Sequence, residues 1–160
     1  MNELRALEQR AAGADDGAFL QDLYRATRQP ELALTNWSDE QKDAFVAMQY
    51  EAQDHHYRAQ YPDAAYDVVI VDGSPAGRIS VDRGVDAIAL LDICFMPPYR
   101  GQGLGTALLR RLQDEAAESG RSLRLHVELG NPAARLYERL GFVVTGEHGL
   151  YQEMEWHAVS

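Results

Sequence analysis

The segment richest in chemical information is a glycine-rich loop between a strand-like apolar run and an amphipathic helix. It reads Arg100-Gly101-Gln102-Gly103-Leu104-Gly105-Thr106. Leucines then recur at helical spacing, at Leu104, Leu108 and Leu112. A glycine turn that leads into a helix presents free backbone N–H groups at the positive end of the helix dipole, which favours an anion such as a pyrophosphate. Gly103 and Gly105 let the backbone approach the phosphates, and Arg100 adds a cation.

Two familiar phosphate-binding loops do not fit this segment. A P-loop requires a lysine after its last glycine, and no lysine lies here. The dinucleotide fingerprint requires a third glycine, at the position that Thr106 occupies, and an acidic residue about twenty positions further on, which is missing. The loop therefore belongs to a different class of anion site.

A second motif follows at Asn131-Pro132-Ala133-Ala134-Arg135-Leu136-Tyr137-Glu138-Arg139-Leu140-Gly141-Phe142. The two segments, in this order, resemble the two halves of the cofactor site of the GCN5-related N-acetyltransferase (GNAT) family. The resemblance implies that acetyl-CoA is the co-substrate and that no metal takes part. It assigns cofactor binding to Ile93, Cys94, Phe95, Arg100, Gly101, Gln102, Gly103, Leu104, Gly105, Thr106, Asn131 and Tyr137.

The resemblance also assigns roles within that site. The backbone of residues 93–95 is expected to pair with the pantetheine arm, and an N–H there polarises the thioester carbonyl. Tyr137 is expected to protonate the departing thiolate, although a tyrosine packed in the core fits the same position. Asn131 is expected to contact the cofactor arm, to cap the following helix, or both.

Amine acetylation also requires a base, because an ammonium group has no free electron pair. The candidates are Asp92, which precedes the loop, and His126 and Glu128, which share one face of a predicted strand. An ordinary solvated side chain without a catalytic role is the alternative interpretation of each of these three residues. Cys94 fits a small buried residue better than a nucleophile. Adjacent histidines in Gln53-Asp54-His55-His56-Tyr57 do not form a metal site, because neighbouring helical residues point about 100° apart.

Hydrophobic periodicity and turn residues predict the elements that position these groups. Seven strands are predicted, at Leu4–Ala11, Tyr66–Val71, Ala76–Asp82, Ala87–Met96, Leu123–Leu129, Phe142–Thr145 and Leu150–Trp156. Four helices are predicted: one capped by Asp15-Asp16, one that begins with a capping box of Ser38 and Gln41 and ends at Pro62 with Phe45 and Met48 on one face, one over Leu104–Ser119, and one between Pro132 and Gly141. Asp72-Gly73 is a signal for a hairpin turn between two of the strands. The fold class is therefore α/β (α+β), with the GNAT-type mixed, mostly antiparallel sheet of six or seven strands.

Composition places these elements in a single domain over residues 1–160. The chain is 46% hydrophobic and 25% charged, which is ordinary for a globular protein. Its net charge of −10 disfavours nucleic acid as a partner; it suits a cationic substrate, or reflects solubility alone. No apolar run is long enough for a membrane span or a signal peptide, and one cysteine fits a reducing cytoplasm.

The predicted function is transfer of an acetyl group from acetyl-CoA to a primary amine by direct attack in a ternary complex. The alternative is a non-catalytic module that binds acetyl-CoA as a sensor or partner subunit. Polyamines, peptide N-termini and protein lysines all fit as acceptors, because the resemblance does not reach the acceptor-binding elements. Strand edges near the C-terminus are consistent with a homodimer.

Overall fold

A computed structural model describes residues 6–159 of the chain. Within them lie seven strands: β1 (Leu7–Ala11), β2 (Ala65–Val71), β3 (Ser74–Arg83), β4 (Ala87–Phe95), β5 (Ser122–Glu128), β6 (Val143–His148) and β7 (Tyr151–Trp156). The helices are α1 (Gly17–Ala33), α2 (Asp39–Gln60), α3 (Leu104–Ser119) and α4 (Ala133–Arg139), with single 3-10 turns at Ala14–Asp16 and Pro97–Tyr99. The predicted α/β class and the mixed sheet are confirmed. Leu4 and Arg5, at the start of the first predicted strand, lie outside the described residues.

The strands form one sheet in the order β1-β2-β3-β4-β5-β7-β6. β4 and β5 are parallel, whereas β1 with β2, β5 with β7, and β6 with β7 are antiparallel. The parallel pair requires a crossover, and α3 provides it. The Gly-rich loop is thus the connection between the end of β4 and this crossover helix.

Two predicted local features are confirmed, a hairpin turn by its φ angles and a capping box by its hydrogen bonds. Asp72 and Gly73 have φ of 50° and 84°, as a two-residue hairpin turn with positive φ at both positions requires. At the start of α2, Gln41 N donates to Ser38 Oγ at 3.1 Å and Ser38 N donates to Gln41 Oε1 at 2.8 Å. This is the predicted capping box.

The chain divides into two compact units. The first contains the residues up to Ile79 together with Ile93–Arg100, and the second contains Ser80–Asp92 and the residues from Gly101 onward. In the first unit, Leu20, Leu23 and Val68 form a buried cluster against which Cys94 and Met96 pack. In the second, Leu108, Leu109 and Leu112 of α3 are buried, as are alternate residues of β5. The single-domain organisation remains a prediction.

The predicted apolar face of α2 is right at Phe45 and wrong at Met48. Phe45 packs against the buried cluster of Tyr24, Leu32 and Val46, whereas Met48 is 58% exposed. The buried face of α2 is therefore narrow and is turned towards α1. Periodicity was wrong at Met48 because α2 is mostly polar and places few apolar residues at any one spacing.

Asp16 has a different role from the predicted helix cap. Its side chain makes no capping bond to α1; instead, Arg10 donates to both carboxylate oxygens at 2.8 Å and Gly13 N donates to Oδ2 at 2.7 Å. The guanidinium of Arg10, and then the Gly13 N–H, hold the pKa of Asp16 at about 2, below its ordinary value. The buried carboxylate thus joins β1 to the turn that precedes α1.

This ion pair predicts a specific acid sensitivity. Because the pKa of Asp16 is lower in the folded chain, its stabilisation is complete above about pH 4 and is lost as the pH falls towards 2. Asp16→Asn should therefore be less stable than wild type at pH 7 and should lack this part of the acid dependence. Unfolding by urea between pH 7 and pH 2 measures it. Asp15→Asn, at the exposed neighbouring carboxylate, is the control and should keep the wild-type profile.

Candidate active site

The start of α3 has the geometry of an anion site. Gly101 and Gly103 have φ of 71° and 79°, and Gly103 is the N-cap of α3. No side chain caps this helix, so its first N–H groups are left for another acceptor. A Cβ built on either glycine would meet nothing within 4 Å, so the loop faces open space. Gly105, predicted to approach the phosphates through positive φ, lies inside α3, and Gly101 takes that conformation instead.

Arg100 is anchored to the end of β4. Its Nε donates to Phe95 O at 3.0 Å, and its backbone N donates to Pro97 O at 3.2 Å. The side chain makes no further hydrogen bond within residues 6–159, and the residue is exposed. The terminal nitrogens of this guanidinium therefore remain available to an anion, and the role of Arg100 as a cation at the rim of the loop stays a prediction.

The end of β4 lies against β3 at very short range. A Cβ on Gly77 would lie 2.2 Å from Cys94 O and 2.9 Å from Phe95 Cδ1. Met96 N also donates to Ala76 O at 2.8 Å. The predicted pantetheine strand, Ile93–Phe95, is half-buried, and the packing of Cys94 on Leu20, Leu23 and Val68 fits the small buried residue that its sequence position indicated.

Pairing between β4 and β5 ends early. The parallel register runs from Ala87 opposite Ser122 to Leu90 opposite Leu125, whereas β5 continues to Glu128. The ladder between the two strands therefore ends at Leu90 and Leu125, three residues before the end of β5. An extended ligand that carries amides can bind alongside a strand at such a point through main-chain hydrogen bonds.

Tyr137 is a buried tyrosine with an acidic neighbour. It is 9% exposed, and its ring meets Phe142 edge-on with centroids 5.7 Å apart. Burial, and then the negative charge of Asp92, raise the pKa of Tyr137 above its ordinary value. The phenol thus keeps its proton at neutral pH, as a proton donor must. A buried phenol that keeps its proton is compatible with both the core and the acid interpretation of Tyr137.

His126 and Glu128 lie on the other face of β5. Leu123, Leu125 and Val127 are buried, and the residues between them are exposed, which confirms the predicted alternation. Asp92 lies two residues after Leu90, whose partner is Leu125, so it shares the buried face. The three base candidates are consequently divided between two faces of the sheet.

Asn131 is confirmed as a local cap. Its Oδ1 accepts from Ala133 N at 2.9 Å, and its backbone carbonyl accepts from Ala134 N at 3.1 Å. The helix begins at Ala133 rather than at Pro132, and Asn131 is exposed. Its predicted contact with a cofactor arm remains a prediction.

In the segment Gln53-Asp54-His55-His56-Tyr57, two polar side chains form hydrogen bonds with arginines. Asp54 accepts from Arg58 Nε at 3.0 Å, and Gln53 Oε1 accepts from Arg78 Nη2 at 3.2 Å. Among residues 6–159, no group of three or more His, Cys, Asp or Glu side chains is placed to hold a metal ion. The same residues contain no helix long and apolar enough to cross a bilayer.

Two polar residues near the site were not predicted from sequence. Gln113, on α3, is buried, and its Nε2 donates to Leu140 O at 2.8 Å in the turn after α4. Glu153, on β7, lies opposite His126 in the antiparallel register. The sequence marks β7 as a strand but does not fix which residue faces His126, because register depends on tertiary pairing.

The family model described as "Acetyltransferase (GNAT) family" matches residues 20–142. A mycothiol acetyltransferase of Corynebacterium glutamicum is 46% identical over 57 residues, which cover 34% of this chain and 20% of that protein. A [ribosomal protein bS18]-alanine N-acetyltransferase of Escherichia coli is 47% identical over 60 residues, covering 36% and 40% respectively. The chain thus spans well under two thirds of these two curated relatives.

The fold also resembles that of solved structures over almost its whole length. PaiA N-acetyltransferase from Thermoplasma acidophilum, crystallised with coenzyme A, superimposes with a TM-score of 0.70. It is 21% identical, and the match covers 96% of this chain and 99% of that one. At this identity the likeness establishes the fold.

The bond from Gln113 to Leu140 O predicts a measurable stability effect. Gln113→Leu keeps a side chain of similar size but leaves a buried carbonyl without its donor, which costs about 1–3 kcal/mol of unfolding free energy. Denaturant unfolding measures this loss. Arg110→Leu, on the exposed side of the same helix, is the control and should change stability by less than about 0.5 kcal/mol. Equal stabilities of the two variants would contradict the role of Gln113.

Proposed function

Because the chain belongs to the GNAT acetyltransferase family, we propose that it transfers an acetyl group from acetyl-CoA to a primary amine by direct attack in a ternary complex. The observation that carries this proposal is the start of α3, where two left-handed glycines open into an uncapped helix N-terminus. Such a terminus binds phosphate oxygens through its N–H groups and its dipole. The residues present therefore fit the pyrophosphate of coenzyme A.

The proposed cofactor site uses two kinds of contact. The backbone of Gly101–Thr106 holds the pyrophosphate, and Arg100 adds charge-assisted hydrogen bonds. The backbone of Ile93, Cys94 and Phe95 pairs with the amides of the pantetheine arm, and Asn131 contacts the same arm. The early end of the β4–β5 ladder supports this arrangement, because an amide-bearing ligand can add alongside a strand where the pairing of two strands ends.

Tyr137 is the proposed general acid. Acetyl-CoA supplies an activated thioester, and the sulfur that leaves requires a proton. The raised pKa of Tyr137 supports this role, since the phenol carries its proton throughout the neutral range. Its burial excludes bulk water from the donor and keeps the ring in one orientation against Phe142.

The acceptor is proposed to be a primary amine. The C. glutamicum and E. coli relatives are named for acetylation of mycothiol and of an alanine of a ribosomal protein, respectively. Peptide N-termini are consequently the first class of acceptor to test, followed by small amines. Asp92, His126 and Glu128 stay the candidates for the base.

We also propose that the protein acts in the cytoplasm, which its single cysteine supports. The exposed Val143 and Val144 of β6 support the proposal of a homodimer.

If the Gly101–Thr106 loop holds the pyrophosphate, a substitution in the loop should weaken acetyl-CoA binding as well as lower the stability of the protein. Gly103→Ala and Gly120→Ala both place a Cβ on a left-handed residue, at the two ends of α3, and each should lose about 1–2 kcal/mol. Only Gly103→Ala should also weaken acetyl-CoA binding. Thermal unfolding with and without acetyl-CoA tests this, because wild type at 100 times the dissociation constant gains about 2.7 kcal/mol. Equal ligand-induced shifts in both variants would exclude the loop as the pyrophosphate site.

The acid assignment predicts a loss of turnover without a loss of binding. Tyr137→Phe removes only the hydroxyl, so its affinity for acetyl-CoA should stay near wild type while kcat falls about 100-fold or more. Thiol release across a panel of peptides and polyamines measures kcat, and Tyr61→Phe, at the end of α2, is the control. Wild-type turnover in Tyr137→Phe would remove the acid role. Binding of acetyl-CoA without thiol release for any amine would favour the non-catalytic module.

A further inference from the structure

We propose that Glu153, itself held by Thr145, positions His126 as the base that takes the proton from the incoming amine. The inference rests on the proposed function, and it names two positioning residues that neither sequence motif contains. It depends on one cluster in the second unit, formed by His126 of β5, Thr145 and His148 of β6, and Glu153 of β7.

The geometry joins three strands through one carboxylate. His126 and Glu153 are directly opposite in the β5–β7 register, and His126 Nε2 lies 3.5 Å from Glu153 Oε2. The other oxygen, Oε1, accepts from Thr145 Oγ1 at 2.9 Å. The Glu153 side chain is 28% exposed, so it is held at the sheet surface rather than extended into solvent. The carboxylate therefore has one oxygen fixed and the other directed at the imidazole.

The contact with Glu153 distinguishes His126 from Glu128 and Asp92, the other two candidates for the base. Glu128 is opposite Tyr151, and no hydrogen bond within residues 6–159 fixes its carboxylate. Asp92 shares the buried face with Leu90 and acts on the phenol of Tyr137. His126 is the first residue of β5 beyond its pairing with β4. An imidazole at that point lies directly beyond the last paired residues of the β4–β5 ladder.

The neighbouring basic side chains of Arg124 and His157 lie against Glu155 and not against Glu153. Arg124 pairs with Glu155 at 3.3 Å, and His157 lies 3.2 Å from the same carboxylate. His148 is the other titratable group beside His126, with ring centroids 6.3 Å apart. Glu155 and Glu153 thus form two separate ion-pair groups on one strand, which gives the experiment a matched control.

The proposed step uses the neutral His126 tautomer in which Nε2 carries the proton on the side of Glu153 and Nδ1 carries the free electron pair. An N–H bond of the amine's ammonium form breaks and an Nδ1–H bond forms, which leaves the amine nitrogen with the electron pair for attack. The Glu153 carboxylate offsets the positive charge on the resulting imidazolium, and solvent later removes the proton from the exposed ring.

The test combines Glu153→Gln, Thr145→Val, His126→Ala and the double variant of Glu153 and His126, with Glu155→Gln as the control. Thiol release with a peptide amine gives kcat and both KM values. We expect Glu153→Gln to lower kcat about tenfold with the KM for acetyl-CoA unchanged, and His126→Ala to lower it about 100-fold. Thr145→Val should show a smaller loss, and Glu155→Gln none. Adding Glu153→Gln to His126→Ala should cause no further loss, because Glu153 acts only through the imidazole.

Four results would overturn the proposal. The first is a Glu153→Gln variant as active as Glu155→Gln, and the second is a loss of equal size when Glu153→Gln is added to His126→Ala. The third is full activity of His126→Ala in an active wild-type background, which would overturn this inference and leave the proposed function in place. A wild type that releases no thiol with any amine would overturn both. If Glu153→Gln does not fold, Thr145→Val reports on the same contact.

Discussion

The early end of the β4–β5 ladder is the constraint on which the rest of the site depends. Two parallel strands pair for four residues and then stop, although β5 continues. The last paired residues, Leu90 and Leu125, directly precede Leu91 and His126, so His126 lies next to the end of the ladder. The position of this end is set by buried residues on both strands, Ile88 and Leu90 on β4 and Leu123 and Leu125 on β5.

Contacts of α3 and α4 stabilise the unit of the chain that contains β5. α3 buries its leucines beneath the alternating apolar residues of β5, and Gln113 reaches from α3 to the carbonyl of Leu140 at the end of α4. Phe142 N donates to Tyr137 O in the same turn, and the two rings meet edge-on. One buried amide thus fixes the turn that carries the phenol. The helix that starts at the anion site and the helix that carries the acid are joined by a bond that neither motif includes.

Much of the fold could be predicted from local signals. The capping box at Ser38, the Asp72-Gly73 turn, and the alternation in β5 depend on neighbouring residues, and each was confirmed. Features set by tertiary pairing could not be predicted in this way. Asp16 satisfies the cap rule by type, but Arg10 of β1 takes its carboxylate. Met48 fits a helical stripe, but α2 turns Val46 towards α1.

The same division applies to the site. The glycine loop, Asn131 and Tyr137 occur in continuous segments, so their residue types were enough to select them. The left-handed residue Gly101 was mistaken for Gly105, because both glycines flank the turn and sequence does not give φ. Glu153 and Gln113 were missed because each acts on a residue 27 positions away in the chain.

The glycine at position 77 has a consequence for how this scaffold can diversify. At this point β3 and β4 meet backbone to backbone, since a Cβ would lie 2.2 Å from the Cys94 carbonyl. The spacing of the two strands is consequently independent of any side chain. Leu20 and Leu23 of α1, which belong to the cluster on which Cys94 and Met96 pack, can change size while this carbonyl keeps its place. The helical side of the first unit can therefore diversify without a change in the path of β4.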